Sequence, residues 1–303
     1  MTARTLTLDI ADGIAAITLA RPELGNPIDG EFSRDLYDLA NALAGRDDVR
    51  AILLRADGPA FSYGGDISTF APQIDELPAI MRRWTGDFHT GLIRLQRLDA
   101  PIVAQVQGVC AGGGVAIAAG ADFVIGTPGT RFVYAYTGIG LACDGGASLA
   151  CTRRMGFARA TRFMLLNQTL TGAQALEAGL MDEMLEPEAL APRAQALARQ
   201  LADGPTVALG EVRRLLRQAT HAAMEAQLEA EAQAMVKAAT TDDAREGVLA
   251  FAEKAQTPLP RPLNLRRTPS ADDLPIPFRH LAPRSRGDRA TPARTAARQA
   301  GTA

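Results

Sequence analysis

Little in this 303-residue sequence offers a redox, metal or polyanion handle. It holds three cysteines, three histidines and a single tryptophan, and aromatic residues make up only 5% of the chain. Cys110, Cys143 and Cys151 are odd in number and lack Cys-x-x-Cys spacing, so no disulfide framework is expected and the thiols read as free, in a reducing compartment. No resident metal or redox cofactor is implied. Lys and Arg (32) nearly balance Asp and Glu (34), and a net charge of −2 with a pI near 6.0 gives no global field for nucleic acid. The opening MTARTLTLDI enters an alternating pattern without a basic region or long apolar run, so neither signal peptide nor membrane span is expected, and the cytoplasm is the expected location. What is present is a globular composition, 47% hydrophobic and 22% charged. Its length suits one α/β core with appended helices.

Residues 4–10 and 14–19 are alternating or β-branched around Ala11-Asp12-Gly13, which predicts a hairpin. Phe32, Leu36, Leu39 and Leu43 mark a helix over 31–44, and 51–54 a buried strand. A Gly-rich loop follows, then a stretch with Pro72 and Pro78 in which 68–80 reads as a loop, then a helix from about Ile80 to Leu98. The alternation repeats at strand 102–107, the helical VAIAAG segment and strand 122–126, as in stacked β-α units. Helical segments then dominate: 156–166, 172–179 behind Thr171 as N-cap, 188–202, 206–218, 222–238, and a last one behind Thr241. Residues 257–303 are rich in Pro, Arg, Ala, Ser and Thr without apolar periodicity and read as a disordered tail.

Two segments carry chemistry. In Phe61-Ser62-Tyr63-Gly64-Gly65-Asp66-Ile67, glycines after a strand let main chain approach a ligand closely. In Gly108-Val109-Cys110-Ala111-Gly112-Gly113-Gly114, a buried strand ends where a helix opens, so free N–H groups and the helix dipole favour developing negative charge. Alone, either could be a tight turn. Together, FSYGGDI and GVCAGGG resemble the paired signature loops of the crotonase (enoyl-CoA hydratase/isomerase) superfamily, and the resemblance runs over about residues 1–258.

The resemblance implies an α/β fold, a crotonase-like core of stacked β-β-α units over 1–190 with a C-terminal helical trimerisation region over 191–256. It implies an acyl-CoA thioester substrate, with coenzyme A entering as part of that substrate, and a homotrimer or hexamer. Gly65 and Gly113 would supply the N–H groups of an oxyanion hole, with Asn26, Tyr63, Asp66, Ile67, Gly112 and Tyr136 around the bound thioester. Asn26 before Pro27 is equally ordinary turn chemistry. The two glutamates of enoyl-CoA hydratases are replaced by Ala116 and Tyr136, so another acid is needed, and Asp144 in GLACDGG is the candidate. It could instead be a helix N-cap. The segment is similar to crotonase members that isomerise enoyl-CoA double bonds, in which the aspartate moves the proton. In an apolar pocket such a carboxyl is suited to carry a proton reversibly.

His89, with Asp144 and an aromatic at Tyr136, also resembles 4-chlorobenzoyl-CoA dehalogenase, where Asp is the nucleophile, His activates water and a Trp stands at the Tyr136 position. His89 reads equally as a core or solvated residue, and Trp84 and Phe88 as core or acyl-pocket aromatics. His221 reads as surface. Hydratase, dehalogenase or hydrolase chemistry, and a non-catalytic CoA-ester or RNA-binding role, stand as alternatives to isomerisation. The RNA alternative rests on the arginines of the tail, Arg266, Arg267, Arg279, Arg284, Arg286, Arg289, Arg294 and Arg298, for which a solvated tail is the preferred reading.

Overall fold

The first hairpin pairs β1 (Leu6–Ala11) with β2 (Ile14–Leu19) through Asp12-Gly13, both at positive φ (51° and 77°), the mirror-image turn that suits strand twist. The computed structural model describes residues 5–219 and 222–256, so His221 and the tail 257–303 lie outside the described residues. After β2 come β3 (Pro27–Ile28), α1 (Gly30–Leu43), β4 (Ala51–Ala56), β5 (Gly64–Gly65), α2 (Ile67–Phe70) and α3 (Leu77–Arg97). Strand β6 (Ile102–Val106) leads into the second motif, which covers β7 (Val109–Ala111) and the start of α4 (Gly113–Ala119); β8 (Phe123–Gly126) and β9 (Arg131–Val133) follow. The remainder is α5 (Ala147–Met155), α6 (Phe157–Leu165), β10 (Thr169–Thr171), α7 (Gly172–Ala178), β11 (Glu183–Met184), α8 (Pro187–Ala202), α9 (Thr206–Gln218), α10 (Met224–Ala239) and α11 (Asp242–Gln256).

The main sheet has the order β1-β2-β4-β6-β8-β11, parallel throughout except for the opening hairpin. Its inner strands β2, β4, β6 and β8 are largely apolar on both faces, as parallel strands covered on two sides must be. One face (Ile17, Leu19, Ile52, Leu54, Ala104, Val106) joins the main core. The alternate residues (Ile14, Ala51, Leu53, Val103, Ile125) meet Leu190, Ala194, Leu197 and Ala198, a single stripe of α8. A second, three-stranded sheet, β10-β9-β7, and the pair β3-β5 lie beside the signature loops and position them. The described residues up to Gly247 form one compact unit.

The α/β class, the hairpin and the β-α alternation stand as expected. Thr171 caps α7 through a full capping box with Gln174. The segment 68–80 is not a loop: it holds α2, a 3-10 turn over Ala71–Glu76 and the first turn of α3. The two prolines that suggested a loop sit where helices tolerate them, Pro78 within the first turn of α3.

Candidate functional site

The two signature loops are joined by main chain. Ser62 runs parallel to β7: its N–H donates to the Val109 carbonyl at 3.1 Å, and the Ala111 N–H donates to the Ser62 carbonyl at 2.8 Å. Gly64, at φ 87°, lies so close that a Cβ there would sit 2.9 Å from the Ala111 carbonyl oxygen. A Cβ on Gly112 would sit 3.6 Å from the Gly64 Cα. The Ser62 hydroxyl donates to the Asn26 carbonyl at 2.7 Å and accepts the Gly64 N–H at 3.0 Å.

Asn26 braces this arrangement from behind. It is 3% exposed, takes φ 53°, and its amide accepts from the Arg21 N–H and donates to the Asp57 and Ala60 carbonyls. Every polar atom of that side chain is therefore engaged within the chain, and it supports the loop as a turn residue.

Gly113 is the first residue of α4, so its N–H has no acceptor within the helix. Gly65 lies in β5 opposite Ile28. Both line a cavity of about 180 Å³ together with Tyr63, Ile67, Gly112, Tyr136 and Asp144. Asp66 does not line it. Its carboxylate accepts from the Ser68 N–H and from the hydroxyls of Ser68 and Thr69, fixing the start of α2. Burial pushes its pKa up, but those hydrogen bonds outweigh burial and hold it below the usual carboxylate range.

Asp144 is not a helix cap. Helix α5 starts three residues later behind Gly146, which makes no side-chain cap. The Asp144 carboxylate instead accepts the Tyr136 hydroxyl at 2.5 Å and faces the cavity. Its loop is held close to α4 by Gly145, where a Cβ would come within 2.8 Å of the Ala116 Cβ and 2.7 Å of the Phe88 ring. The loop begins at Ala135, a non-glycine residue at φ 66°, the kind of local strain that collects at functional sites.

His89 sits behind this loop. Its Nε2 accepts the Gly145 N–H at 2.9 Å, which places the proton of the neutral ring on Nδ1, and lies 3.8 Å from an Asp144 carboxylate oxygen. The imidazole lines a neighbouring groove between α3, α5 and α9, whereas Asp144 lines the cavity.

Burial, and then the charge of Asp144, pushes the Tyr136 phenol far above its ordinary range. Tyr134, whose ring centroid is 5.3 Å from that of Tyr136, is raised by burial and by its hydrogen bond with Cys143. A raised phenol pKa means the folded chain holds the proton more tightly than the unfolded chain. The stability this contributes is complete below the unfolded value of ~10 and is lost as pH rises beyond it. The absorbance rise at 295 nm on alkaline titration of the native protein is therefore expected to be unchanged in Tyr134→Phe and Tyr136→Phe up to the pH of unfolding. Loss of a native-state step in Tyr136→Phe would show that its hydroxyl ionises while donating to nothing.

The structure thus gathers Gly65, Gly112, Gly113, Tyr63, Ile67, Tyr136 and Asp144 around one cavity, and places Asn26, Asp66 and His89 outside it as bracing residues. Trp84 and Phe88 do line it. Ile28, Ser33, Met81, Thr85, Ile139 and Leu141, which also line it, were not singled out from sequence, since single apolar residues on separate elements carry no local signal.

The chain matches the family model "Enoyl-CoA hydratase/isomerase" over residues 9–260. It is 33% identical over 251 residues to 1,2-epoxyphenylacetyl-CoA isomerase of Escherichia coli (strain K12), covering 81% of this chain and 94% of that protein. It is 32% identical over 254 residues to a protein of Rhodobacter capsulatus named as an enoyl-CoA hydratase, covering 84% and 97%. A crystal structure of an enoyl-CoA hydratase/isomerase from Mycobacterium abscessus superposes with a TM-score of 0.77 at 33% identity, covering 82% of this chain and 96% of the other. With two main-chain loops meeting at one cavity and a match over most of its length, the chain belongs to the enoyl-CoA hydratase/isomerase family, the crotonase superfamily.

Proposed function

We propose that this family member is an enoyl-CoA double-bond isomerase in which Asp144 is the proton carrier. The carrying observation is that Asp144 presents its carboxylate to the cavity shared by Gly65 and Gly113, while the glutamate positions of hydratases hold Ala116 and Tyr136. The thioester oxygen would accept the Gly65 and Gly113 N–H groups, which stabilise the charge that gathers on it as the enolate forms. Asp144 removes a proton from C2 of a 3-enoyl thioester; the electron pair spreads through the dienolate onto the oxygen. Return of the same proton to C4 leaves the 2-enoyl product, with no change in composition. The Tyr136 hydroxyl, held protonated, orients the carboxylate throughout. A relative from Streptococcus mutans, 29% identical over 254 residues, is named a trans-2-decenoyl-[acyl-carrier-protein] isomerase, and that name agrees with this reading. A homotrimer or hexamer built through residues 191–256 is the assembly we propose by family likeness, and light scattering reads it directly.

Nucleophilic chemistry is the second reading, favoured by the 3.8 Å separation of His89 Nε2 and Asp144. Against it, that nitrogen already accepts the Gly145 N–H and has no lone pair left for a water proton. A panel of 3-enoyl-, 2-enoyl- and 4-halobenzoyl-CoA separates the readings. Conversion of 3-enoyl to 2-enoyl thioester without mass change is expected; gain of water or loss of halide would overturn it.

Restoring a glutamate does not restore hydration here. Ala116 is 1% exposed and faces Gly145 at close range. Ala116→Glu is expected to cost about 1–3 kcal/mol through overpacking, more with a buried carboxylate, and to give no hydratase activity. Chemical denaturation and a 2-enoyl-CoA hydration assay check both halves.

A further inference from the structure

We propose that the cavity is built for a purely hydrocarbon acyl arm about the size of one phenyl ring, and that Trp84 sets its upper limit. This rests on the acyl-CoA reading of the same site. The cavity holds about 180 Å³, and an apolar cavity of about 150 Å³ is known to take a benzene molecule. That leaves room for a ring with one methylene, or an aliphatic arm of roughly six to eight carbons.

The chemistry of the wall excludes charged arms. Away from Asp144 and Tyr136, three lining residues carry hydroxyls: Tyr63, which is 56% exposed, and Ser33 and Thr85, whose hydroxyls are turned back on their own helices. The Ser33 hydroxyl donates to the Asp29 carbonyl at 2.7 Å, and that of Thr85 to the Met81 carbonyl at 2.6 Å. Ile28, Met81 and Phe88 offer only hydrocarbon and ring surface to the arm, and neither lysine nor arginine is among the lining residues. A carboxylate on the acyl group would enter without a cation to pair with.

Trp84 acts as the ruler through its backing. Its indole lies against the first residue of α1, so close that a Cβ on Gly30 would fall 2.5 Å from the indole nitrogen and 2.8 Å from Cε2. Helices α1 and α3 pack directly on one another, so the ring spans their junction and cannot retreat from a longer chain.

The test uses saturated thioesters, which bind without reacting, so the result is independent of whether the enzyme isomerises. Calorimetry with acetyl-, hexanoyl-, octanoyl-, dodecanoyl-, phenylacetyl- and adipyl-CoA is expected to show affinity rising about tenfold or more from acetyl to octanoyl and phenylacetyl. Affinity should then fall at dodecanoyl, with adipyl at least about a hundredfold below hexanoyl. In Trp84→Ala, dodecanoyl should gain at least about tenfold relative to octanoyl. Affinity that climbs steadily through dodecanoyl in the native protein, or adipyl binding equal to hexanoyl, overturns the proposal even if the variant fails to fold. An unchanged chain-length ratio in a folded Trp84→Ala variant removes Trp84 as the ruler. The expected size ranking without isomerase activity would refute the isomerase reading and leave the pocket standing.

Discussion

Asp144→Asn is expected to lower kcat/KM for conversion of 3-enoyl to 2-enoyl-CoA by about 10³-fold, within the ~10²–10⁴ range that a positioned general base contributes. Binding of a saturated acyl-CoA should change by less than about threefold. The change is close to isosteric, and the amide oxygen of Asn can still accept the Tyr136 hydroxyl that Asp144 accepts at 2.5 Å. The loop also keeps its other tether, the Gly145 N–H on His89. Loss of turnover with retained affinity thus reports proton transfer, since the wall of the cavity is untouched. Isomerase activity within tenfold of the native protein would remove Asp144 from the mechanism. His89→Ala is a useful contrast: it disturbs the loop from behind and leaves the carboxylate in place.

Gly64→Ala should damage both stability and turnover. The residue sits at φ 87°, where a side chain costs about 1–2 kcal/mol. The new Cβ would also lie 2.9 Å from the Ala111 carbonyl oxygen and 3.3 Å from its carbon, both main-chain atoms. Ala111 cannot move aside freely because its N–H is bonded to Ser62 at 2.8 Å. The two loops must therefore part by several tenths of an ångström at the point where both proposed donors are set. The expected result is a loss of about 2–3 kcal/mol in stability and about 10²-fold or more in kcat/KM. Gly156→Ala supplies the control: it also has a positive φ of 75° but nothing within 4 Å, so stability should fall while activity survives. Equal activities in the two variants would show that the approach of the loops is irrelevant to turnover.

The fold was legible where the chain repeats a pattern. The alternating strands of the hairpin, the apolar stripes of α1 and α8, and the Thr171 cap each leave a local signature, and each appears where expected. Strands of two or three residues, such as β3, β5 and β11, do not, because their existence depends on a partner elsewhere in the chain. The glycine loops could be read because glycine is demanded by main-chain approach. Asp144 stands out as a candidate because the family resemblance implies glutamates at positions that here hold Ala116 and Tyr136, and because its own segment is similar to that of isomerase members. Its bond to Tyr136 and the inward turn of Asn26 are tertiary facts, as is the separation of His89 from the cavity by the Gly145 peptide. The pocket wall, drawn from β3, α1, α3 and the loop before Asp144, was the least legible part, since nothing in the sequence says which faces of those elements converge.

In the proposed mechanism, the pairing of Ser62 with β7 divides the catalytic labour between two kinds of structure. Charge stabilisation falls to peptide groups, which are the same whatever residues surround them. Proton handling falls to one short stretch, 135–146, suspended between β9 and α5 and rich in positive φ at Ala135, Gly140, Gly145 and Gly146. That division predicts a modular architecture: exchanging the stretch for that of another family member should change the reaction while thioester binding persists.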